Sequence, residues 1–255
     1  MIRLNDKARS LSSFTYLELE RYLGEETLCI LPLGAMEQHG PHLPLGTDSE
    51  IANIGIDELC SSWTDALQLL VLPVMPIGES MEHSTFTGTL SFSVSTLQAV
   101  ITDIAVSLGN WGVKKLLIIN FHGGNSDTVS SILREVRQKT GVLCGAAHVY
   151  GSDVLQGYGG ARDYHAGDIE TSIVLHYLPE AVRREAVPEK ASADGKLKKM
   201  ELFKNLVIPW FTGDLSADGI IGNPRDASAQ KGKAIISDLV KELKEIIRRF
   251  AAYEE

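Results

Sequence analysis

The stretch Thr27-Leu-Cys-Ile-Leu-Pro-Leu33 passes directly into Gly34-Ala-Met-Glu37-Gln-His39-Gly-Pro-His42-Leu-Pro-Leu-Gly-Thr-Asp48. A continuous apolar run of this length marks a strand buried on both faces, as in parallel sheets. The segment after it carries Glu37, His39, His42 and Asp48, all side chains of the types that ligate transition metals. Residues i and i+2 of an extended backbone point to one side, so Glu37 and His39 can face a common cavity. Gly46 is expected to let the backbone turn sharply and bring Asp48 back toward them. A carboxylate has two oxygens, so Asp48 can bridge two cations. Residues 48–63 then place Ile51, Ile54, Ile56 and Leu59 at roughly helical spacing.

Working outward, further buried strands are expected at 66–74, 114–120 and 142–149. Helices are expected at 15–23, capped by Ser13, and at 93–110, capped by Ser95. Others are expected at 126–140, at 168–177 with Pro179 as the stop, and at 231–253. Residues 1–13 read as an arm, 76–88 and 151–164 as loops, 183–200 as a charged surface segment, and 208–226 as a Gly/Asp/Pro-rich loop. Strand and helix alternating at this spacing predict an α/β fold. It would have three α/β/α layers around a central, mostly parallel sheet, in one domain over residues 1–255.

In open α/β sheets, ligands gather at the carboxyl ends of strands. His122, just after the strand at 114–120, therefore belongs on the same edge as Glu37 and His39. Gly123 and Gly124 allow close backbone approach, and Asn125 is expected to cap the next helix. Glu170 sits in the first turns of a helix shortly before an apolar run, where a buried carboxylate needs a partner and a cation would serve. Five candidate ligands result: Glu37, His39, Asp48, His122 and Glu170. Their mixed imidazole and carboxylate donors suit zinc, manganese or iron. With Asp48 as bridge, two divalent metal ions could share a water nucleophile and polarise a carbonyl. His42 reads as structural or as support to the ligands. Asp168 reads as a helix N-terminal charge, His148 and His176 as ordinary core or surface histidines, and Trp63, Trp111 and Trp210 as packing residues.

Composition narrows the function classes. The 255 residues are 44% hydrophobic and 22% charged with a net charge of −9, so an ordinary globular core can form. The only basic clusters are short, such as Lys196-Leu-Lys-Lys199, so no nucleic-acid partner is expected. The apolar runs fall short of the ~18 residues of a membrane span. Cys29, Cys60 and Cys144 are widely spaced without a CxxC pair, and the first residues lack a signal-peptide core. Both point to reduced thiols and a cytoplasmic protein.

Three longer motifs sharpen this reading: Glu37-Gln-His39-Gly-Pro-His-Leu-Pro-Leu-Gly-Thr-Asp48, Asn120-Phe-His122-Gly-Gly-Asn125 and His165-Ala-Gly-Asp-Ile-Glu170-Thr-Ser172. With His83-Ser-Thr-Phe-Thr-Gly-Thr-Leu90 and Gly222-Asn-Pro-Arg225, they closely resemble the creatininase (creatinine amidohydrolase) family over residues 31–232. The resemblance implies a hexamer-forming α/β hydrolase with a two-metal centre. Glu37, Asp48 and His122 would hold one metal, and His39 and Asp48 the other. Creatininases proper place a glutamate ligand two residues after the third-motif histidine. Gly124 stands there, and Glu170 is the expected substitute. His165 matches a histidine proposed to shuttle protons. Glu82, His83 and Ser84 are candidate substrate-binding residues.

The departure at Gly124 weakens creatinine as substrate, because the Gly-Gly form is shared by formamide deformylases, a peptidase of mycofactocin maturation and an inosose ring hydrolase. The leading expectation is hydrolysis of a non-peptide C–N bond, a cyclic amide or formamide of a small molecule. The alternatives are a hydrolase of a cyclic ketone, a peptidase of cofactor maturation, and a non-catalytic metal-dependent binding protein.

Overall fold

All six residues of Leu28–Leu33 are buried, as a strand with helices on both sides requires. The computed structural model describes residues 6–159, 163–189 and 209–254. Five strands form one sheet: β1 (Ala8–Ser10), β2 (Leu28–Leu33), β3 (Leu69–Val71), β4 (Lys115–Asn120) and β5 (Leu143–His148). Their spatial order is β1-β3-β2-β4-β5, and every pair is parallel. The connecting helices are α1 (Tyr16–Tyr22), α2 (Thr47–Ser61), α3 (Val94–Asn110), α4 (Asn125–Thr140), the short α5 (Asp153–Gly157), α6 (Asp168–Tyr177) and the long α7 (Ala229–Ala251).

Alternation along the strands divides the core in two. Leu28 and Ile30 of β2, with Leu117 and Ile119 of β4, pack against α2, α6 and α7. Cys29, Leu31 and Leu33 of β2, with Leu116 and Ile118 of β4, pack against α3 and α4. Side-chain period 2 thus turns one apolar run into two cores, and the expected α/β/α layering follows. Burying each such Leu or Ile contributes about 1.5–3 kcal/mol.

The local differences from expectation have physical causes. The expected N-terminal arm contains β1, paired Ala8 to Leu69 and Ser10 to Val71. Three residues are too short to show a period. β3 is only Leu69–Val71. The chain leaves the ladder before Pro73, which has no N–H to donate. Thr15, not Ser13, caps α1, in a reciprocal capping box with Glu18. Ser93, not Ser95, caps α3 through the Thr96 amide. Asn125 does not cap α4. It is the first helical residue, and its side chain accepts from the Glu79 amide and donates to the Gly34 carbonyl. Of the charged segment 183–200, residues 190–200, including Lys196–Lys199, lie outside the described residues. No described helix is long and apolar enough to cross a membrane, and Cys29, Cys60 and Cys144 are free and buried.

Candidate metal centre

Two strand ends and the starts of two helices converge at the carboxyl edge of the sheet. The chain leaves β2 through Gly34 and Ala35. It pairs Met36 with Leu90 in an isolated bridge and presents Glu37 and His39. The sharp turn falls at Gly40 (φ 63°), where a left-handed backbone favours glycine. Gly46 has φ −89°, which any residue adopts, so it is not the hinge that was expected. Asp48 lies in the first turn of α2. His122 follows β4 by two residues, and Glu170 occupies the first turn of α6. All five candidate ligands are buried: Glu37 and His39 at 0% exposure, Asp48 at 1%, His122 and Glu170 at 4%.

Asp48 is the pivot of the cluster. Its Oδ1 lies 3.3 Å from His39 Nε2, and its Oδ2 lies 3.1 Å from His122 Nδ1. Each carboxylate oxygen therefore faces a different imidazole. His39 Nε2 is also 3.6 Å from Glu170 Oε2. On the other side, Glu37 Oε2 lies 3.2 Å from His122 Nε2 and accepts from Ser80 Oγ at 2.5 Å. Glu37 Oε1 is 3.3 Å from His165 Nδ1 and 3.5 Å from His83 Nε2. The sets Glu37/His39/Asp48, His39/His165/Glu170 and Glu37/His83/His165 each have donor atoms within 4.8 Å of one another.

A cation fits these atoms better than protons do. Glu37 Oε1, His39 Nε2 and Asp48 Oδ2 are buried without a hydrogen-bond partner, a costly state unless something charged completes the site. His165 makes the argument concrete. Its Nε2 lies 2.6 Å from the Gln38 carbonyl and 3.0 Å from the Gln38 amide nitrogen; the tautomer that donates to the nearer carbonyl leaves the Nδ1 lone pair aimed at the carboxylate of Glu37. Burial, with His39 and His83 nearby, holds His165 well below the ordinary histidine pKa, so a proton on Nδ1 does not bridge that gap. Burial opposes charge on His39, but Asp48, Glu170 and Glu37 raise it to about 10. Burial likewise opposes charge on His122, yet Glu37 and Asp48 raise it well above the ordinary value. Burial would raise Asp48, but His39 and His122 hold it below the usual carboxylate range. Glu170 is raised, by burial first and by Asp48 as well, against the pull of His39. Strong mutual perturbation in a buried cluster is the mark of a functional site.

The remaining expected residues separate. His83 is buried in the cluster, with Nδ1 within 2.8 Å of Thr212 Oγ1 and 2.9 Å of Gln38 Nε2. Glu82 lines the cavity above the cluster, with Oε1 at 3.5 Å from His122 Nε2. Ser84 is exposed and is not among the lining residues. His42 stands back from the cluster: Nε2 pairs with Thr171 Oγ1 at 2.9 Å, tying the ligand loop to α6. Asp168 bonds Ser172 and Lys231 at the start of α6. A side chain at Gly124 would require Glu82 and His122 to shift, because an added Cβ would meet Glu82 Oε1 at 2.1 Å and His122 Nε2 at 2.5 Å.

Sequence reasoning missed Gln38, Ser80, Tyr150 and Thr212, and it placed Trp210 in packing although Trp210 lines this cavity. No motif marks Tyr150, and the register of β5 on β4 is what places it. Asn120 pairs with His148, so Tyr150 follows its strand by two residues just as His122 does.

A buried imidazole–carboxylate cluster at the carboxyl edge of a parallel sheet has the donor set of a metal site, and the comparisons put the chain in a family of hydrolases. The profile of the creatininase family (creatinine amidohydrolase) matches residues 12–247, and the chain belongs to that family. It is 31% identical to the mycofactocin precursor peptide peptidase of Mycobacterium ulcerans strain Agy99, over 87% of this chain and 84% of that one. It is 26% identical to the creatinine amidohydrolase of Pseudomonas putida, over 95% and 97%. A crystal structure of creatinine amidohydrolase superposes with a TM-score of 0.78 at 25% identity, covering 97% of this chain and all of the other.

Proposed function

We propose that the chain is a two-metal peptidase that cleaves an amide bond in a peptide, with Asp48 bridging the metals. Asp48 carries this reading: its two oxygens face His122 on one side and His39 on the other. One metal would be held by Glu37, Asp48 and His122, and the other by His39, Asp48 and Glu170. Such donors suit zinc, manganese or iron. When bound, a metal pair supplies a water nucleophile at neutral pH and polarises the scissile carbonyl.

The chain's own residues supply the rest. His165, neutral with Nδ1 free of hydrogen, is the group able to accept a proton and return it to the leaving nitrogen. Its ring is held by the Gln38 carbonyl, so the exchange is confined to one nitrogen. Glu170 accepts from the Ala166 amide at 2.7 Å through Oε2, which fixes the carboxylate facing His39. Glu82 and His83 would contact the substrate from the cavity wall. Trp210 and Tyr164 line the same 330 Å³ space.

A peptide is favoured over the expected cyclic amide by the 31% identity to a peptide peptidase. The creatinine amidohydrolase match, at lower identity, keeps cyclic-amide hydrolysis as the second reading. A homohexamer, by likeness to the family, and one domain over residues 1–255 with a cytoplasmic location, by the sequence reading, belong to the same proposal. Metal analysis of the purified protein should find about two transition ions per chain. Parallel assays on short peptides and on creatinine decide between the substrates: creatinine turnover with inert peptides would overturn the peptidase reading. A metal-free, fully active protein would overturn the centre itself.

A further inference from the structure

Gln38 stands between two motif histidines with two side-chain hydrogens to give, and the side chain is buried. Its Oε1 accepts from the Gly40 amide at 2.9 Å, which fixes the orientation of the side-chain amide. Nε2 then has three neighbours: the Gly219 carbonyl at 2.9 Å, His83 Nδ1 at 2.9 Å and His165 Nε2 at 3.0 Å. The Gly219 carbonyl can only accept, so it takes one hydrogen. His165 Nε2 cannot take the other. It lies 2.6 Å from the Gln38 backbone carbonyl, which also only accepts, so this nitrogen carries a hydrogen of its own. The second Gln38 hydrogen therefore goes to His83 Nδ1, which must hold a lone pair.

Thr212 is compatible with this assignment, since its hydroxyl lies 2.8 Å from the same His83 Nδ1 and can turn to donate. A hydrogen on Nδ1 could be given to Thr212, but it would point against the Gln38 N–H. A neutral imidazole bare at Nδ1 has its hydrogen on Nε2. That nitrogen is 3.5 Å from Glu37 Oε1, longer than an ordinary hydrogen bond, and His83 lines the 330 Å³ cavity. Beside it, with ring centroids 4.1 Å apart, His165 turns its bare Nδ1 to the same Glu37 Oε1 at 3.3 Å. One carboxylate oxygen is thus faced by an N–H from one imidazole and a lone pair from the other.

We propose that Gln38 is a positioning residue that splits the roles of these two histidines. His165 keeps the lone pair that takes up the proton. His83 is held as a neutral N–H donor, unable to ligate a metal through Nε2, and it donates to the substrate oxygen that gains negative charge as the amide is attacked. His83 is thereby a catalytic residue and not a ligand in a Glu37/His83/His165 metal set. The inference rests on the hydrolytic reading of the site and deepens it, and it holds for a peptide and for a cyclic amide alike.

The test uses the full-length, zinc-loaded protein with isotope-labelled histidine. Solid-state nitrogen NMR separates bare from protonated ring nitrogens, and His83→Asn and His165→Asn identify the two rings by the loss of their signals. Both rings are expected bare at Nδ1 and protonated at Nε2. In Gln38→Met the two should part. His83 gains a population with hydrogen on Nδ1, facing Thr212, while His165 stays as it was, because the Gln38 backbone carbonyl remains. His83→Asn should keep about two zinc ions per chain and lower kcat roughly a hundredfold, with KM changed less. Gln38→Met should lower kcat about tenfold, and adding it to His83→Asn should cost nothing further, since Gln38 acts through His83. The kinetics use whichever of a short peptide or creatinine is cleaved. If Gln38→Met fails to fold, the ring signals of the unsubstituted protein and the zinc content of His83→Asn decide. Hydrogen on His83 Nδ1 in the unsubstituted protein, or loss of one zinc from folded His83→Asn, would overturn the assignment and make His83 a ligand. Fully additive losses of kcat would overturn the positioning role of Gln38. Turnover of neither substrate would remove the hydrolytic reading and the donor role with it, while the ring signals would still show whether Gln38 sets the hydrogens.

Discussion

Two of the segments that bring candidate ligands to the proposed centre are built on different principles. Residues 34–46 connect β2 to α2, both anchored in the core, and their tight turn uses glycine at Gly40. Residues 163–170 precede α6 and are held by side-chain-to-backbone bonds. Asp163 accepts two amides at the head of α6, and Glu170 accepts the Ala166 amide. Their left-handed residue is Ala166 (φ 53°), the one non-glycine with positive φ among the described residues. The first segment inherits its rigidity from the sheet. The second depends on a few hydrogen bonds and a strained residue next to His165, where strain persists only if the surroundings fix it. The first segment leads to Asp48, whose oxygens face both His39 and His122, whereas of these two Glu170 faces His39 alone, so the first half should serve both metals and the second one.

The largest expected effect tests that asymmetry. Asp48→Ala removes the oxygens facing both His39 and His122, so metal content should fall from about two per chain to none, with activity lower by about a thousandfold or more. Glu170→Gln touches only the His39 side. About one metal should remain, bound near Glu37 and His122, with activity down roughly 10–100-fold. Elemental analysis of both variants checks the comparison. Equal metal loss in the two would show that the halves are not separable.

A smaller effect distinguishes the halves by pH. His42, in the sheet-anchored loop, is depressed to about 4 by burial and by His39, against an ordinary value of 6.5. As pH falls through 6.5 the unfolded chain takes up this proton while the folded chain refuses it until about pH 4. In that window the unfolded state binds more protons, so stability falls as pH falls. Between pH 7 and pH 5 the loss from this group is about 2 kcal/mol. His42→Gln should show a correspondingly shallower decline in denaturant midpoint over that range. An unchanged slope would mean that His42 titrates normally in the fold.

The two segments were also unequally legible in the sequence. The first announced itself, because an apolar run of strand length needs no tertiary information to be read and metal-type side chains followed it at once. α6 showed its bounds through Pro179 and its apolar run, and Glu170 fell out of the motif. What stayed hidden depended on close approach rather than on pattern. Glycine composition could not say that Gly40, not Gly46, makes the turn. Three residues of β1 carry no period. Ser80 and Gln38 matter through single contacts to Glu37 and to the histidines. Tyr150 belongs to no motif, and only the pairing of β4 with β5 places it level with His122.

The smallest expected effect probes the strain at Ala166. A left-handed alanine costs about 1–2 kcal/mol relative to an ordinary conformation. Ala166→Gly removes that cost but frees the unfolded chain by roughly 0.5–1 kcal/mol. The two terms partly cancel, to a net gain of about 0–1.5 kcal/mol, so the thermal midpoint should rise by no more than about 6 °C for a chain of this size. Function should respond more than stability, because the Ala166 amide is what aims Glu170 Oε2 toward His39, and glycine widens the orientations available to that amide. The expected signature is a lower affinity for one of the two metals with no loss of global stability. Ala166→Val separates the contributions, since a branched side chain is least able to adopt positive φ. It should lose stability and the Glu170-side metal together. If instead the glycine variant were several kcal/mol less stable, the left-handed turn would be held by contacts of the Ala166 methyl rather than by the Glu170 hydrogen bond, and the second half of the centre would be as firmly anchored as the first.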